Sequence, residues 1–224
     1  MIIAGIVKSS LIDFPGRAST VIFLGGCNFR CGYCHNPDMV MCNRSGIRVT
    51  EVFDFLNRRK RFLDGVCISG GEPTIWPELY DFICGIKTEG LAVKLDTNGS
   101  NPHLLERLIS ENLLDYVAMD VKGPRAKYEK ITRCKIAGGF EAIEKSSELL
   151  RRGSCPYEFR TTVARELLTE EDLKVMISQH PGAEQWYFQN YRDSGKRLDS
   201  VSEFTPYGEK ELEDIGVRLC ASVR

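Results

Sequence analysis

Residues 20–34 read Thr20-Val21-Ile22-Phe23-Leu24-Gly25-Gly26-Cys27-Asn28-Phe29-Arg30-Cys31-Gly32-Tyr33-Cys34. Five apolar or β-branched residues followed by a glycine pair spell a short strand that stops abruptly. Three cysteines then follow in a C-x3-C-x2-C spacing on one tight loop. Thiolates so spaced hold three corners of a cubane iron–sulfur cluster, whose four irons normally take four cysteines. No fourth cysteine lies at matching local spacing. One iron is therefore left open, much as a catalytic zinc site keeps a position that a structural one closes. An open iron is a place to bind and reduce a substrate, which marks the chain as an enzyme. Zinc is the competing reading, but it usually takes four ligands in two separated pairs. No second pair is present. His35, adjacent to Cys34, is badly placed to share one metal with it.

Outward from this stretch, short apolar runs alternate with amphipathic ones, the pattern of βα units on a parallel sheet. The first strand, 20–24, is followed by strands predicted over 66–69, 91–95, 116–119, 158–163 and 185–190. Helices are predicted over 50–63, 77–87, 101–114, 140–152, 169–179 and 208–222. Thr50 and Thr169 are the expected N-caps, Pro77 opens the second helix, and Gly90 stops it. Six βα units are too few for an eight-stranded barrel. The expectation is an α/β fold, a partial (β/α)6 TIM-like barrel with an open mouth, formed by one domain over 1–224 with its cysteine loop at 25–38. Ligands in such architectures bind where the strand C-termini and their loops converge.

Composition narrows the class. The 224 residues are 42% hydrophobic and 27% charged, as in ordinary globular proteins. Lysine and arginine number 30 against 31 acidic residues, for a net charge of −1. Bulk charge gives no footprint for nucleic acid, and the basic run Arg58-Arg59-Lys60-Arg61 reads as a solvated helix face. No apolar run reaches the roughly 18–20 residues of a membrane span. The start lacks the charged region and cleavage site of a signal peptide, so the cytoplasm is expected. Cys42, Cys67, Cys84, Cys134, Cys155 and Cys220 form no C-x2-C pair and read as plain thiols. The short stretch between Cys34 and Thr50 has no room for an insert carrying further clusters.

Three further motifs fall at predicted strand ends. Ser69-Gly70-Gly71-Glu72-Pro73 follows the second strand. Its glycines suit either close approach of a ligand or a tight turn needing positive φ, and Glu72 suits an ammonium group. Leu95-Asp96-Thr97-Asn98-Gly99 and Met119-Asp120-Val121-Lys122-Gly123-Pro124 each aim a carboxylate at the mouth. Such a pair suits a cation or a ribose better than general acid–base work, since no reaction proton is identified. Lys122 and Arg160 add positive charge suited to a carboxylate.

Together these residues resemble the radical S-adenosylmethionine (SAM) superfamily, and within it the glycyl-radical-enzyme activating enzymes. The likeness extends to Leu11-Ile12-Asp13-Phe14-Pro15-Gly16-Arg17 and to Tyr33-Cys34-His35-Asn36-Pro37. It is greatest to anaerobic ribonucleoside-triphosphate reductase activating proteins. The resemblance implies a 4Fe–4S cluster on Cys27, Cys31 and Cys34, with SAM on the open iron. It implies reductive cleavage of SAM to a 5′-deoxyadenosyl radical that takes a hydrogen atom from a glycine of a partner enzyme. It places Tyr33 and His35 near adenine, Gly71 and Glu72 at the methionine end of SAM, and Asp120 and Lys122 along its ribose and carboxylate. Arg160 matches a basic residue near SAM, and Arg192 stands nearest to a late histidine of that group. A monovalent cation beside SAM is implied on Asp96, Thr97 and Asp120. The expected partners are a glycyl radical enzyme and a reductant such as flavodoxin or ferredoxin. Two other readings are a radical SAM enzyme acting on a small molecule such as a 7-deazaguanine precursor, and an electron-transfer iron–sulfur protein with a fully ligated cluster.

Overall fold

The computed structural model describes residues 1–42, 46–133, 139–183 and 185–224. A strand β1 (Ile3–Ser10) leads into six more, β2 (Ser19–Leu24), β3 (Gly65–Gly70), β4 (Ala92–Thr97), β5 (Tyr116–Asp120), β6 (Tyr157–Val163) and β7 (Trp186–Asn190). A two-residue strand, β8 (Ser222–Val223), comes last. They form one sheet in sequential order; β1 is antiparallel to β2 and every later pairing is parallel. The helices are α1 (Pro37–Val40), α2 (Val49–Arg59), α3 (Leu79–Thr88), α4 (Pro102–Ser110), α5 (Tyr128–Thr132), α6 (Gly139–Arg151), α7 (Glu170–Gln179) and α8 (Glu209–Arg218). The sheet is open, with β1 and β8 at its margins; β2–β7 are the six parallel strands of the expected partial barrel, and the short β8 adds a seventh.

Period-two alternation divides each strand between two surroundings. Ile22, Leu24, Ile68, Val93, Leu95, Val117, Met119, Phe159 and Phe188 join one apolar core. The helices supply its outer layer through Leu56 of α2, Ile83 of α3, Leu108 of α4, Ile143 of α6, Met176 of α7 and Leu212 of α8. The intervening positions, Ser69, Lys94, Asp96, Asp120, Arg160, Thr162 and Gln189, share the other, concave face. That face is polar.

Several boundaries differ from the sequence expectation. β1 was not predicted. A register shift between Ile3 and Gly5 and a half-exposed pattern hide its alternation. Helix α2 begins at Val49 and is capped by Arg48 without a side-chain bond, so Thr50 lies inside the helix rather than at its cap. The last helix stops at Arg218, and Ser222 belongs to β8, paired to Tyr187 of β7. Thr169 is the N-cap expected, in a capping box with Asp172. Cys134 lies outside the described residues. Cys42, Cys67, Cys84, Cys155 and Cys220 are free thiols. No helix of the described residues is long and apolar enough to cross a membrane.

Candidate active site

The cysteine loop leaves the C-terminal end of β2 and is fixed there by backbone bonds. Gly25 N–H donates to Ile2 O (2.9 Å) and Gly26 N–H to Met39 O (2.8 Å). The glycine pair after β3 packs directly against this exit. A Cβ on Gly71 would stand 1.9 Å from Gly26 O, and one on Gly70 2.4 Å from Leu24 O, with Gly70 at φ +118°. Only glycine lets the two backbones meet so closely. The pair therefore answers a demand of the fold, and it also lines the cavity beside it.

That cavity, of about 800 Å³, lies at the strand C-termini. Cys27, Cys31, Tyr33, Cys34, His35, Gly71, Asp96, Thr97, Asp120, Lys122, Arg160 and Arg192 all line it. Segments far apart in sequence thus bring together every predicted site residue except Glu72. The Glu72 side chain turns inward and is fully buried. One oxygen accepts from Thr74 N–H (3.0 Å), Thr97 Oγ1 (2.7 Å) and the Thr74 hydroxyl, and the other from Asn98 N–H (2.6 Å). Burial raises its pKa, against the pull of these bonds. Its place is that of a brace between the β3 and β4 loops rather than a contact in the cavity.

The charged floor is set by strand register. Asp120 pairs with Arg160 across β5 and β6, and Asp96 is level with Ala118. Ala118 carries only a methyl group, so Arg160 reaches both carboxylates. Its Nε donates to Asp120 (2.9 Å) and its Nη1 to Asp96 (3.3 Å). Lys122 Nζ donates to Asp120 (3.1 Å). Burial works to raise the Asp120 pKa, but Arg160 and Lys122 outweigh it and hold the carboxyl at about 2. Asp96 is likewise lowered, by Arg160 and Lys94 against burial. Burial works to lower the Lys122 pKa, and Asp120 and Cys31 reverse it. His35, at the rim, is shifted down by burial and by Lys122.

Sequence reasoning missed the groups that hold the cysteine loop. Asn28 accepts from Asn98 Nδ2 and donates to Ser100 (2.8 Å each), tying the loop to the end of β4. Arg30 donates from Nη1 to Phe29 O (2.8 Å) and to Cys27 O. Leu198 and Asp199 donate backbone N–H groups to Cys34 O and Gly32 O (2.9 Å each). The Asp199 side chain is ion-paired with Arg133. Asn28 and Arg30 belong to the loop itself, whereas only the tertiary fold brings Asn98, Ser100, Leu198 and Asp199 to it. Lys94 did leave a signal: it sits two residues before Asp96 on one strand face.

Among the described residues, no three His, Cys, Asp or Glu side chains converge as a single metal ion requires. Cys27, Cys31 and Cys34 are free and line one cavity, and three thiolates are the ligand type of an iron–sulfur cluster. Burial pushes the Cys27 thiol up to about 12 and raises Cys31 as well; binding a metal centre deprotonates such thiols. The Tyr33 hydroxyl is buried beside the Cys31 thiol and has no oxygen or nitrogen partner among the described residues. The donor set fits a 4Fe–4S cluster.

The comparisons with known proteins agree with this geometry. The radical SAM superfamily profile matches residues 21–178. The chain belongs to the radical SAM superfamily, enzymes that work with a 4Fe–4S cluster and SAM. It is 34% identical over 221 residues to a Methanocaldococcus jannaschii protein provisionally named a glycyl-radical enzyme activating enzyme, covering 96% of this chain and 90% of that one. It is 34% identical over 152 residues to the pyruvate formate-lyase-activating enzyme of Clostridium pasteurianum, covering 65% of this chain and 63% of that one. A radical SAM methyltransferase from Sphaerobacter thermophilus shares the fold, with a TM-score of 0.72 at 15% identity over 94% of this chain and 67% of the other.

Proposed function

We propose that this protein is a glycyl-radical-enzyme activating enzyme whose partner is an anaerobic ribonucleoside-triphosphate reductase. The observation that carries the macromolecular substrate is the shape of the cavity. It extends past the cysteine loop to both open margins of the sheet, reaching Ile12 after β1, and Gln189 and Arg224 on the β7–β8 side. Ile12 is 90% exposed at that margin, and Leu11, next to it in the chain, is 81% exposed. An apolar rim on a laterally open cavity suits a polypeptide loop entering from a partner, whereas a small molecule is better held by closure on all sides. The likeness to glycyl-radical enzyme activating enzymes supports the same reading.

When bound, the cluster and SAM supply a primary carbon radical able to take a hydrogen atom from a glycine. The chain's own residues bind and orient. Cys27, Cys31 and Cys34 hold the cluster. Lys122 and Arg160, the cations of the cavity floor, receive the SAM carboxylate, and the backbone of Gly70 and Gly71 forms the wall for its methionine end. Tyr33 and His35 flank the adenine, and Arg192 lies on the outer side. A one-electron donor such as flavodoxin or ferredoxin serves as reductant.

The test is anaerobic incubation of the reconstituted, reduced protein with SAM and the candidate reductase. The expected result is 5′-deoxyadenosine together with a doublet glycyl-radical spectrum on the reductase. A 7-carboxy-7-deazaguanine synthase of Neisseria meningitidis is 35% identical over 116 residues, about half of each chain. SAM cleavage with consumption of a deazaguanine precursor and no radical on the reductase would transfer the proposal to that chemistry. No SAM cleavage at all would leave only an electron-transfer role.

A further inference from the structure

The residues that the resemblance assigns to a monovalent cation are already occupied by the protein's own cations. Asp96 Oδ1 is ion-paired with Lys94 Nζ. Its Oδ2 accepts from Ser69 Oγ (2.9 Å) and Arg160 Nη1 (3.3 Å). Asp120 uses one oxygen for Arg160 and the other for Lys122. Thr97 Oγ1 donates to Glu72 (2.7 Å) and accepts from Gly99 N–H (3.1 Å). Three positive side chains thus share two carboxylates. A sodium or potassium ion inserted here would bring a fourth positive charge against two carboxylates, each already paired with a side-chain cation, and would be repelled by them. The site does not fit the cation.

Lys94 is the decisive member. Its side chain is 3% exposed, beneath the cavity floor, with Nζ also 3.7 Å from Cys67 Sγ. A lysine so deep has no route to water except by giving up its carboxylate, and a buried ammonium without a partner is strongly disfavoured. β4 fixes its direction, because residues 94 and 96 lie on the same strand face. Lys94 therefore delivers one positive charge to Asp96 permanently, from the side away from the cavity. Arg160 bridges that charge to Asp120.

We infer that Lys94 is a built-in counter-charge that takes the electrostatic place of a monovalent cation beside the SAM pocket, so that this protein binds SAM without one. The inference rests on the SAM reading of the cavity only for its binding arm. The experiment compares potassium, sodium and tetramethylammonium chloride at equal ionic strength; the last cation is too large for a cage of protein oxygens. In the protein freed of cluster, thermal unfolding of the wild type is expected at the same temperature in all three salts. Lys94→Ala leaves a buried carboxylate beside a vacated space, so its lowered melting temperature is expected to recover partly in potassium or sodium but not in tetramethylammonium. Lys94→Met keeps most of the stem without the charge and is expected to recover less.

In the reconstituted protein, SAM affinity of the wild type is expected to vary less than twofold among the salts. A melting temperature of the wild type raised by one small cation alone, or SAM affinity tightened tenfold by it, would overturn the inference. So would a Lys94→Ala protein that melts identically in all three. If the alanine variant does not fold, the wild-type comparison still decides. Failure to bind SAM in any salt would strike the cofactor reading instead and leave the unfolding arm standing.

Discussion

The two faces of the parallel strands follow opposite physics. Toward the helices, Leu95, Met119, Phe159 and Phe188 are buried among apolar neighbours. Each such side chain contributes about 1.5–3 kcal/mol by leaving water. On the concave face, positions one residue away carry Lys94, Asp96, Asp120 and Arg160, buried or nearly so but charged. There burial costs free energy, and only mutual pairing offsets it. One alternation along the chain therefore separates the part that keeps the fold from the part that lines the cavity. Mutations on the two faces should differ accordingly in what they change.

The largest effect is expected at the cysteine loop. Cys31→Ala should abolish both cluster incorporation, followed by iron content and visible absorption, and SAM cleavage, because two thiolates hold the cluster poorly. The apoprotein should still unfold cooperatively. A Cys31→Ala protein that keeps a full cluster would erase the functional side of the comparison.

The opposite outcome belongs to Phe159, which is fully buried and rings against Trp186 at 5.3 Å. Phe159→Ala should cost about 3–5 kcal/mol of unfolding free energy in urea titrations. The variant that remains folded at low temperature should still take up the cluster.

His180 sharpens the contrast through pH. It sits among the Phe140, Phe159 and Trp186 rings, with Nδ1 2.8 Å from Ser147 Oγ. Burial, aided by Arg151, lowers its pKa from 6.5 to about 4. The unfolded chain then binds a proton that the folded one refuses between those values. The stability from the neutral ring is complete above the unfolded pKa and falls as pH drops toward 4, by up to about 3 kcal/mol. His180→Leu should flatten the stability profile between pH 7 and 4.5 without shifting the carboxylate transitions below it. An unchanged slope would assign the acid loss elsewhere.

The smallest effect is expected at Cys67, a buried thiol on the concave face but off the cavity wall. Cys67→Ala should leave iron content intact and cost about 1 kcal/mol, the scale of a small buried group. Loss of the cluster here would mean that the sulfur count at the site had been misread.

Much of this was legible because it is local. The cysteine spacing, the strand-end motifs and the Thr169–Asp172 capping box are each contained in a few consecutive residues. Strand β1 escaped because a bulge and partial exposure break its alternation. Glu72 was read as a cavity group, yet the 3-10 turn Pro73–Ile75 and the β4 loop gather four donors around it inside the protein. Lys94 stands as a lone charge within an apolar strand, and its two-residue spacing from Asp96 is the one local sign of the face it shares.

By itself, then, the sequence determined the six central strands and the six helices that cover them, the open (β/α)6 form and the cysteine spacing of the loop after β2. These depend on periodicity and on neighbours along the chain. Tertiary structure alone decided which charges meet: Arg160 with Asp120 and Asp96, Lys94 with Asp96, Asp199 with Arg133. Except for Lys94 and Asp96, these partners are far apart in sequence. The strand pairs are fixed by register and by burial, which makes an unpaired charge too costly to keep, whereas Arg133, its side chain exposed, meets Asp199 outside the sheet.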